Sequence, residues 1–175
     1  MLQFVTDREI YTEVIQARLP QARRQLWIAT ADIKDLHVGA GIAGKNMVPL
    51  LQVLAGLLES GVEVRLIHAK EPGPMFRQEF DRFPILFSRL ERVLCPRVHF
   101  KCIIIDCTVA YFGSANLTGA GMGAKSAQRR NFENGILTDQ PELVKPLMTQ
   151  FDDVWRGAHC AKCGRRKFCG DCPVA

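Results

Sequence analysis

No secretory signal opens this chain of 175 residues: MLQFVTDREIY has no basic segment followed by an apolar one, and acids arrive at Asp7 and Glu9. Nor does any apolar run have the length to cross a bilayer. The longest, Met47 to Leu58, is interrupted by Pro49 and Gln52. These two absences predict a cytoplasmic protein without a membrane span. Internal repeats and low-complexity segments are missing as well, which leaves one globular domain as the expectation. Histidine is scarce, with four in all, so any chemistry resting on that residue has few candidates.

The charge is unevenly spread. Arg156, Lys162, Arg165, Arg166 and Lys167 face a single acid, Asp171, so nearly all of the net +5 lies in the last stretch. The body is close to neutral. Seven cysteines in a chain with no export signal argue for metal or thiol chemistry rather than a disulfide scaffold.

Periodicity predicts an α/β body. Thr6 to Leu19 has helical spacing, with Thr6 or Asp7 as cap and Pro20 as stop. Leu26 to Ala31 suits a buried strand, and the glycines of VGAGIAGKN mark a loop. A helix is expected from Asn46, its face formed by Met47, Leu50, Leu51, Leu54, Leu57 and Leu58, with Gly61 as its end. Val62 to His68 follows as a strand, which makes a parallel strand–helix–strand unit. Between Glu71 and Leu94, three prolines and the spacing of Phe76, Phe80, Phe83 and Phe87 predict a helix pair used for core or subunit contact. A hairpin over Arg97 to Asn116, a strand over Asn131 to Thr138 and a helix over Pro141 to Arg156 complete the body.

The hairpin HFKCIIIDCTVAYFGSAN holds polar residues where an apolar core is expected, and unpartnered polar groups there cost a few kcal/mol each, roughly. Strand alternation puts His99 and Lys101 on one face, about 6–7 Å apart, a gap that a phosphate fits. Asp106 points the other way and takes a bracing role. Gly113 permits close backbone approach, while Ser114 and Asn116 supply short polar side chains at the same end.

His99-x-Lys101, four residues, Asp106, six residues and Gly113-Ser114-x-Asn116 closely resembles the HKD motif of the phospholipase D superfamily. Asn131-Phe132-Glu133 is similar to the family's shorter N-x-E element. The resemblance covers residues 1–157 and is best to the small bacterial nucleases with one motif per chain. It implies a mixed sheet flanked by helices and a catalytic set of His99, Lys101, Ser114, Asn116 and Glu133, with Asp106 as its structural acid. Glu133 is expected to orient an imidazole. Family chemistry uses two histidines, one attacking phosphorus and one protonating the leaving oxygen, and forms a phosphohistidine. No second motif is present: His68-x-Lys70 is followed by Met75 where an acid belongs. The resemblance therefore implies a homodimer sharing one site, with no metal needed for the reaction.

Residues 158–175 form a second unit. Two C-x-x-C pairs, Cys160/Cys163 and Cys169/Cys172, have the donor set of a tetrahedral zinc site, and Gly164 and Gly170 sit where knuckle turns need them. An iron–sulfur cluster is the next reading, and a pair of redox dithiols the third. Arg165, Arg166 and Lys167 beside Phe168 suit phosphate contacts, as do Arg129, Arg130 and Asn131 near the motif. Cys95, Cys102 and Cys107 read as small buried hydrophobes. The leading expectation is a nuclease acting on DNA or RNA. The alternatives are a phospholipase D or phosphatidyl transferase, and an inactive nucleic-acid-binding module.

Overall fold

A computed structural model describes residues 1–40 and 46–171. Its strands are β1 (Leu2–Thr6), β2 (Gln25–Thr30), β3 (His37–Ala40), β4 (Asn46–Pro49), β5 (Glu63–His68), β6 (Glu91–Leu94), β7 (Lys101–Ile105), β8 (Val109–Gly113) and β9 (Asn134–Thr138). Seven of them form one mixed sheet in the order β1-β9-β8-β7-β2-β5-β6, while β3 and β4 make a separate antiparallel pair. The helices are α1 (Asp7–Glu9), α2 (Leu50–Glu59), α3 (Pro74–Asp81), α4 (Pro84–Arg89) and α5 (Pro141–Trp155). This is the mixed sheet flanked by helices that the motif's resemblance implies.

The parallel unit is present. β2 and β5 pair in parallel, with Thr30 opposite His68 and α2 in the crossover. Leu50, Leu51, Leu54, Leu57 and Leu58 of α2 are all buried, and Gly61, at φ +87°, reverses the chain after it. Alternation along β7 divides the core. Ile103 and Ile105 enter the larger cluster with Tyr111 and Leu137, whereas Cys102 and Ile104 pack opposite with Trp27 and Phe151. Burial pushes the Cys102 thiol up to about 12, so it behaves as the small hydrophobe expected.

Several boundaries differ from the sequence reading. Leu2–Thr6 is a strand, and the predicted first helix is one α-turn followed by a π-helix over Ile10–Gln16. The wider turn lets Ile10, Tyr11, Val14 and Ile15 all be buried. Pro20 lies inside a 3-10 turn, Leu19–Gln21. Asn46 belongs to β4, and α2 starts only after Pro49 because that residue is extended, at ψ 143°. The glycine-rich loop partly becomes strand at Val38–Ala40, and residues 41–45 lie outside the described ones. The Phe-rich segment is a helix pair, each member opened by a proline, but Glu91–Leu94 is a strand. Phe76 is core; Phe87 is 65% exposed. The motif hairpin begins at Lys101 rather than Arg97, and β9 begins at Asn134 rather than Asn131. Both corrections move site residues from strands into the connections before them.

Candidate active site

His99 sits two residues ahead of β7, exposed, while Lys101 is the first residue of that strand and only 8% exposed. The Lys101 ammonium donates to the His99 carbonyl oxygen at 2.7 Å and lies 3.3 Å from its ring Nδ1. The phosphate-sized gap expected from strand spacing is therefore closed. His99 is not in the strand, so alternation does not fix its ring, and the long lysine stem folds back to it. An ammonium has no lone pair, so Nδ1 must accept in this contact. Burial lowers the Lys101 pKa, and the nearby charge of Glu133 partly restores it.

Across the hairpin, Lys101 pairs with Gly113 and Gly113 with Gly135. This register brings Ser114 beside the connection that carries Glu133. Ser114 Oγ donates to Glu133 Oε2, and the Asn131 side-chain amide donates to Oε1 at 3.0 Å. The Asn134 backbone N–H returns a bond to Ser114 Oγ at 3.1 Å. Within one chain, Glu133 thus holds Ser114 and Asn131. Its own backbone is anchored by Asp7, whose carboxylate accepts the Glu133 N–H at 2.8 Å and whose N–H donates to the Glu133 carbonyl at 2.9 Å. Gly113 is needed for packing. A Cβ there would stand 2.3 Å from the Asn134 carbonyl oxygen and 2.7 Å from the Gly135 Cα.

Asn116 uses its amide oxygen internally, accepting from Asp32 N at 3.1 Å and Thr30 Oγ1 at 3.4 Å. Its amide donors are left for other partners. Asn116 and Asn131 line a cleft of about 290 Å³ with Asp32, Lys34, Thr118 and Lys125. The loop Gly119–Arg130 forms one wall, held by Arg8 to the Gly123 and Ala124 carbonyls at 3.2 and 3.3 Å. Sequence reasoning missed Asp7, Thr30, Lys34 and Lys125. Thr30 and Asp7 act through contacts 86 and 126 residues away in the chain, which no local motif shows.

The remaining predicted residues lie apart from this network. Asp106 is at the other end of β7, about 16 Å from Lys101 along the strand. It accepts the backbone N–H groups of Arg23, Arg24 and Gln25 at 2.7 to 3.1 Å, in a left-handed turn at φ +52°. Burial pushes its pKa up, but these three donors outweigh it and the net shift is downward. It braces the sheet. His68 is 1% exposed, its Nδ1 2.7 Å from the Lys70 carbonyl oxygen, and supplies no second catalytic ring. Arg129 and Arg130 lie on the turn leading into Asn131, Arg129 exposed and Arg130 half-buried. Arg165, Arg166 and Lys167 are exposed on the tail that follows α5. Cys160, Cys163 and Cys169 are half-buried there, and Cys172 lies outside the described residues. Among the described residues, no three His, Cys, Asp or Glu side chains form a ready-made metal site.

A mixed sheet whose central hairpin presents His, Lys, Ser and Asn at one end defines a phospholipase D-like phosphodiesterase. The family comparison agrees: the model for "Cardiolipin synthase, PLD-like domain" matches residues 15–155, and the chain belongs to that family. Among solved structures, the chain is similar to Nuc from Salmonella typhimurium, a phospholipase D family member. The identity is 16%, the TM-score 0.63, and the match covers 89% of this chain and 94% of that one. NucT from Helicobacter pylori is 15% identical at TM-score 0.62, covering 89% and 97% of the two chains. Phosphatidylserine synthase from Haemophilus influenzae Rd KW20 is 11% identical at TM-score 0.65, covering 87% of this chain and 36% of that one. At such identities the likeness concerns the fold. No curated protein matches the sequence significantly.

Proposed function

We propose that the protein is a cytoplasmic nuclease that hydrolyses DNA or RNA phosphodiester bonds through a phosphohistidine on His99, in a site completed by a second copy of the chain. The observation that carries this reading is the number of histidines at the site. Among the described residues His99 stands alone beside Lys101, since His68 is buried at the end of β5. Displacement at phosphorus with a histidine nucleophile needs a second group to protonate the leaving oxygen.

A bound phosphate takes the Lys101 ammonium, which releases Nδ1 to carry the ring proton and leaves the Nε2 lone pair for attack. The new N–P bond forms as the bond to the leaving oxygen breaks. That oxygen takes a proton from the imidazolium of the partner subunit's His99. Water then attacks the phosphohistidine, its proton passes to the partner's His99, and the N–P bond breaks to regenerate neutral His99. Lys101 and the free amide donors of Asn116 offset the charge on the non-bridging oxygens. Because histidine supplies the nucleophile, the reaction runs without a metal.

Lys34 and Lys125 on the cleft, with Arg129 and Arg130 beside it, favour a polyanionic substrate. Phe132, between Asn131 and Glu133, is 94% exposed, and a ring so placed can stack on a base. A second copy has apolar surface to cover: Leu2 and Phe4 are exposed on the edge strand β1, where Phe4 pairs with Ile136 of β9, itself paired with Phe112 of β8. The test is incubation of wild type and His99→Ala with plasmid, single-stranded DNA, RNA and phosphatidylcholine vesicles, all in EDTA. Polynucleotide cleavage by wild type alone supports the reading. Turnover of vesicles alone would move the protein to the lipid branch, a reading that the family's cardiolipin synthase members favour. Binding of DNA without cleavage would make it an inactive module.

A further inference from the structure

Thr30 closes β2 at the end of the sheet where the motif residues gather. It stands opposite His68 of β5. The antiparallel pairing of β2 with β7 runs as far as Ala29 opposite Cys102, so one further step brings Thr30 level with Lys101. The residue is 0% exposed although its side chain carries a hydroxyl. A buried hydroxyl needs partners, and those of Thr30 lie around Asn116.

Thr30 Oγ1 accepts the Leu117 backbone N–H at 3.0 Å, in the buried interior, where an unpaired donor is costly. Its single proton goes to the Asp32 carbonyl oxygen at 2.7 Å, with Asn116 Oδ1 as a longer second acceptor at 3.4 Å. The hydroxyl thereby joins two stretches of chain that lie far apart in sequence. Residues 31–34 run on from β2 beside residues 116–117. Ile33 and Leu117 form a parallel bridge there, and the Lys34 N–H donates to the Leu117 carbonyl at 3.1 Å. In this short ladder Thr30 Oγ1 accepts where a backbone carbonyl otherwise would.

The same junction fixes which way the Asn116 amide points. The Asp32 backbone N–H faces that side chain at 3.1 Å and can only donate, so the atom opposite it is Oδ1. The amide nitrogen, with its two donors, is turned away from the junction, and Asn116 lines the cleft. From the other side the glycine loop holds the Asn116 backbone. The Thr118 N–H donates to the Asn116 carbonyl at 2.7 Å, and a Cβ at Gly121 would stand 2.6 Å from that carbonyl oxygen. The backbone is thus fixed, and the orientation of the amide rests on the junction that Thr30 closes.

We propose that Thr30 is a positioning residue of the site: its hydroxyl holds residues 31–34 against Leu117, and the Asp32 N–H so placed turns the Asn116 amide nitrogen toward a phosphate oxygen in the cleft. The inference rests on the phosphodiesterase reading of that site. An Asn116 amide released from Asp32 presents its oxygen as readily as its nitrogen, and an oxygen facing a phosphate repels it. Thr30 touches no substrate atom. It acts through Asn116, on the charge that develops at phosphorus, so its loss falls on kcat more than on substrate binding.

The experiment is kinetics on single-stranded DNA and RNA with Thr30→Val, Thr30→Ser, Asn116→Ala and the double variant Thr30→Val/Asn116→Ala. Thr30→Val keeps the shape and loses the hydroxyl; it should lower kcat about 10- to 100-fold while KM changes less than about threefold. Thr30→Ser keeps the hydroxyl and should stay within about threefold of wild type. In the Asn116→Ala background Thr30→Val should cost nothing further, whereas a role in stability alone predicts that the two losses multiply. A second readout needs no turnover. The Asn116 side-chain amide signal in NMR, identified by its loss in Asn116→Ala, should shift when inorganic phosphate is added to wild type and stay put in Thr30→Val. That pattern in a wild type without nuclease activity would keep the positioning role and remove the nuclease reading. If Thr30→Val does not fold, Thr30→Cys, whose thiol is a weak donor and acceptor, carries both comparisons. Losses that multiply, a Thr30→Ser protein as slow as Thr30→Val, or an Asn116 signal that responds to phosphate in both proteins or in neither would each overturn the proposal.

Discussion

Lys101 donates to the carbonyl oxygen of His99, two residues before it, at 2.7 Å, and the same ammonium lies 3.3 Å from that residue's Nδ1. The lysine is 8% exposed, so its charge is held in place by a neutral backbone acceptor rather than by a permanent ion pair. That arrangement keeps the cation available: an incoming phosphate competes with a carbonyl, not with a carboxylate.

Lys101→Met should lower kcat/KM by about 10²–10³-fold, the loss typical for removing one donor to a developing oxyanion. Burial lowers the Lys101 pKa, so activity should decline on the alkaline side at a lower pH than an ordinary lysine would impose. Lys101→Arg keeps the charge at all working pH values and should shift that alkaline limb upward. A pH profile of kcat/KM for the three proteins decides it, and an unchanged limb in Lys101→Arg would assign the titration elsewhere.

Asp106→Asn separates bracing from chemistry. Asparagine tolerates the left-handed backbone at φ +52°, so the substitution removes charge without adding strain. Stability should fall by about 2 kcal/mol, since three backbone N–H groups lose an ionised acceptor. The folded-state pKa is depressed, so the contribution is present above the unfolded value, about 3.9, and is lost as pH falls through the folded one. kcat at a temperature where both proteins are folded should change less than about twofold. A large kcat loss would place Asp106 in the catalytic machinery.

Gly113→Ala tests how tightly β8 is seated on β9. The added methyl meets the Asn134 carbonyl oxygen at 2.3 Å and the Gly135 Cα at 2.7 Å, and neither is the end of a flexible side chain. The strands must part, at a cost of about 2–4 kcal/mol. Ser114 and Glu133 should separate with them. Thermal unfolding should show the loss of stability, and activity of the remaining folded protein should drop too.

His68 gives a pH-dependent stability signal distinct from the site. Burial is the main cause of its lowered pKa, only partly offset by the bond to the Lys70 carbonyl. The unfolded chain therefore binds the proton first, at about pH 6.5. The neutral ring's contribution is complete above that pH and decreases as the solution is acidified toward the folded pKa. Wild type should lose more stability than His68→Gln between pH about 7.5 and about 5.5. Parallel denaturation curves at both pH values would refute the assignment.

In the strand–helix–strand unit from β2 to β5, the sequence reading and the structure agree. The leucine face of α2, the stop at Gly61 and the parallel pairing of β2 with β5 follow from 3.6-residue spacing, a left-handed glycine and a crossover that contains a helix. The motif identified the site because its residues are near one another in the chain. What escaped were short edge elements, β1 and β6, whose four or five residues have too little pattern to stand out. The start of β7 was misplaced for a related reason. Val98, His99 and Phe100 have strand-like composition, but strand identity depends on a partner, and the pairing of β7 begins only at Lys101.

The amino-acid order by itself determined the hairpin, its set of His99, Lys101, Ser114 and Asn116, and the presence of a single such set. These are local properties, fixed by spacing along one turn of chain. Only the tertiary structure decided what each side chain touches: Lys101 on His99, Glu133 on Ser114 and Asn131, Asp106 on the start of β2, and Thr30 and Asp7 as distant anchors. Hydrogen bonds are satisfied by whichever donor the fold brings within about 3 Å. That neighbour is chosen by sheet order and register, which place residues more than 80 positions apart side by side.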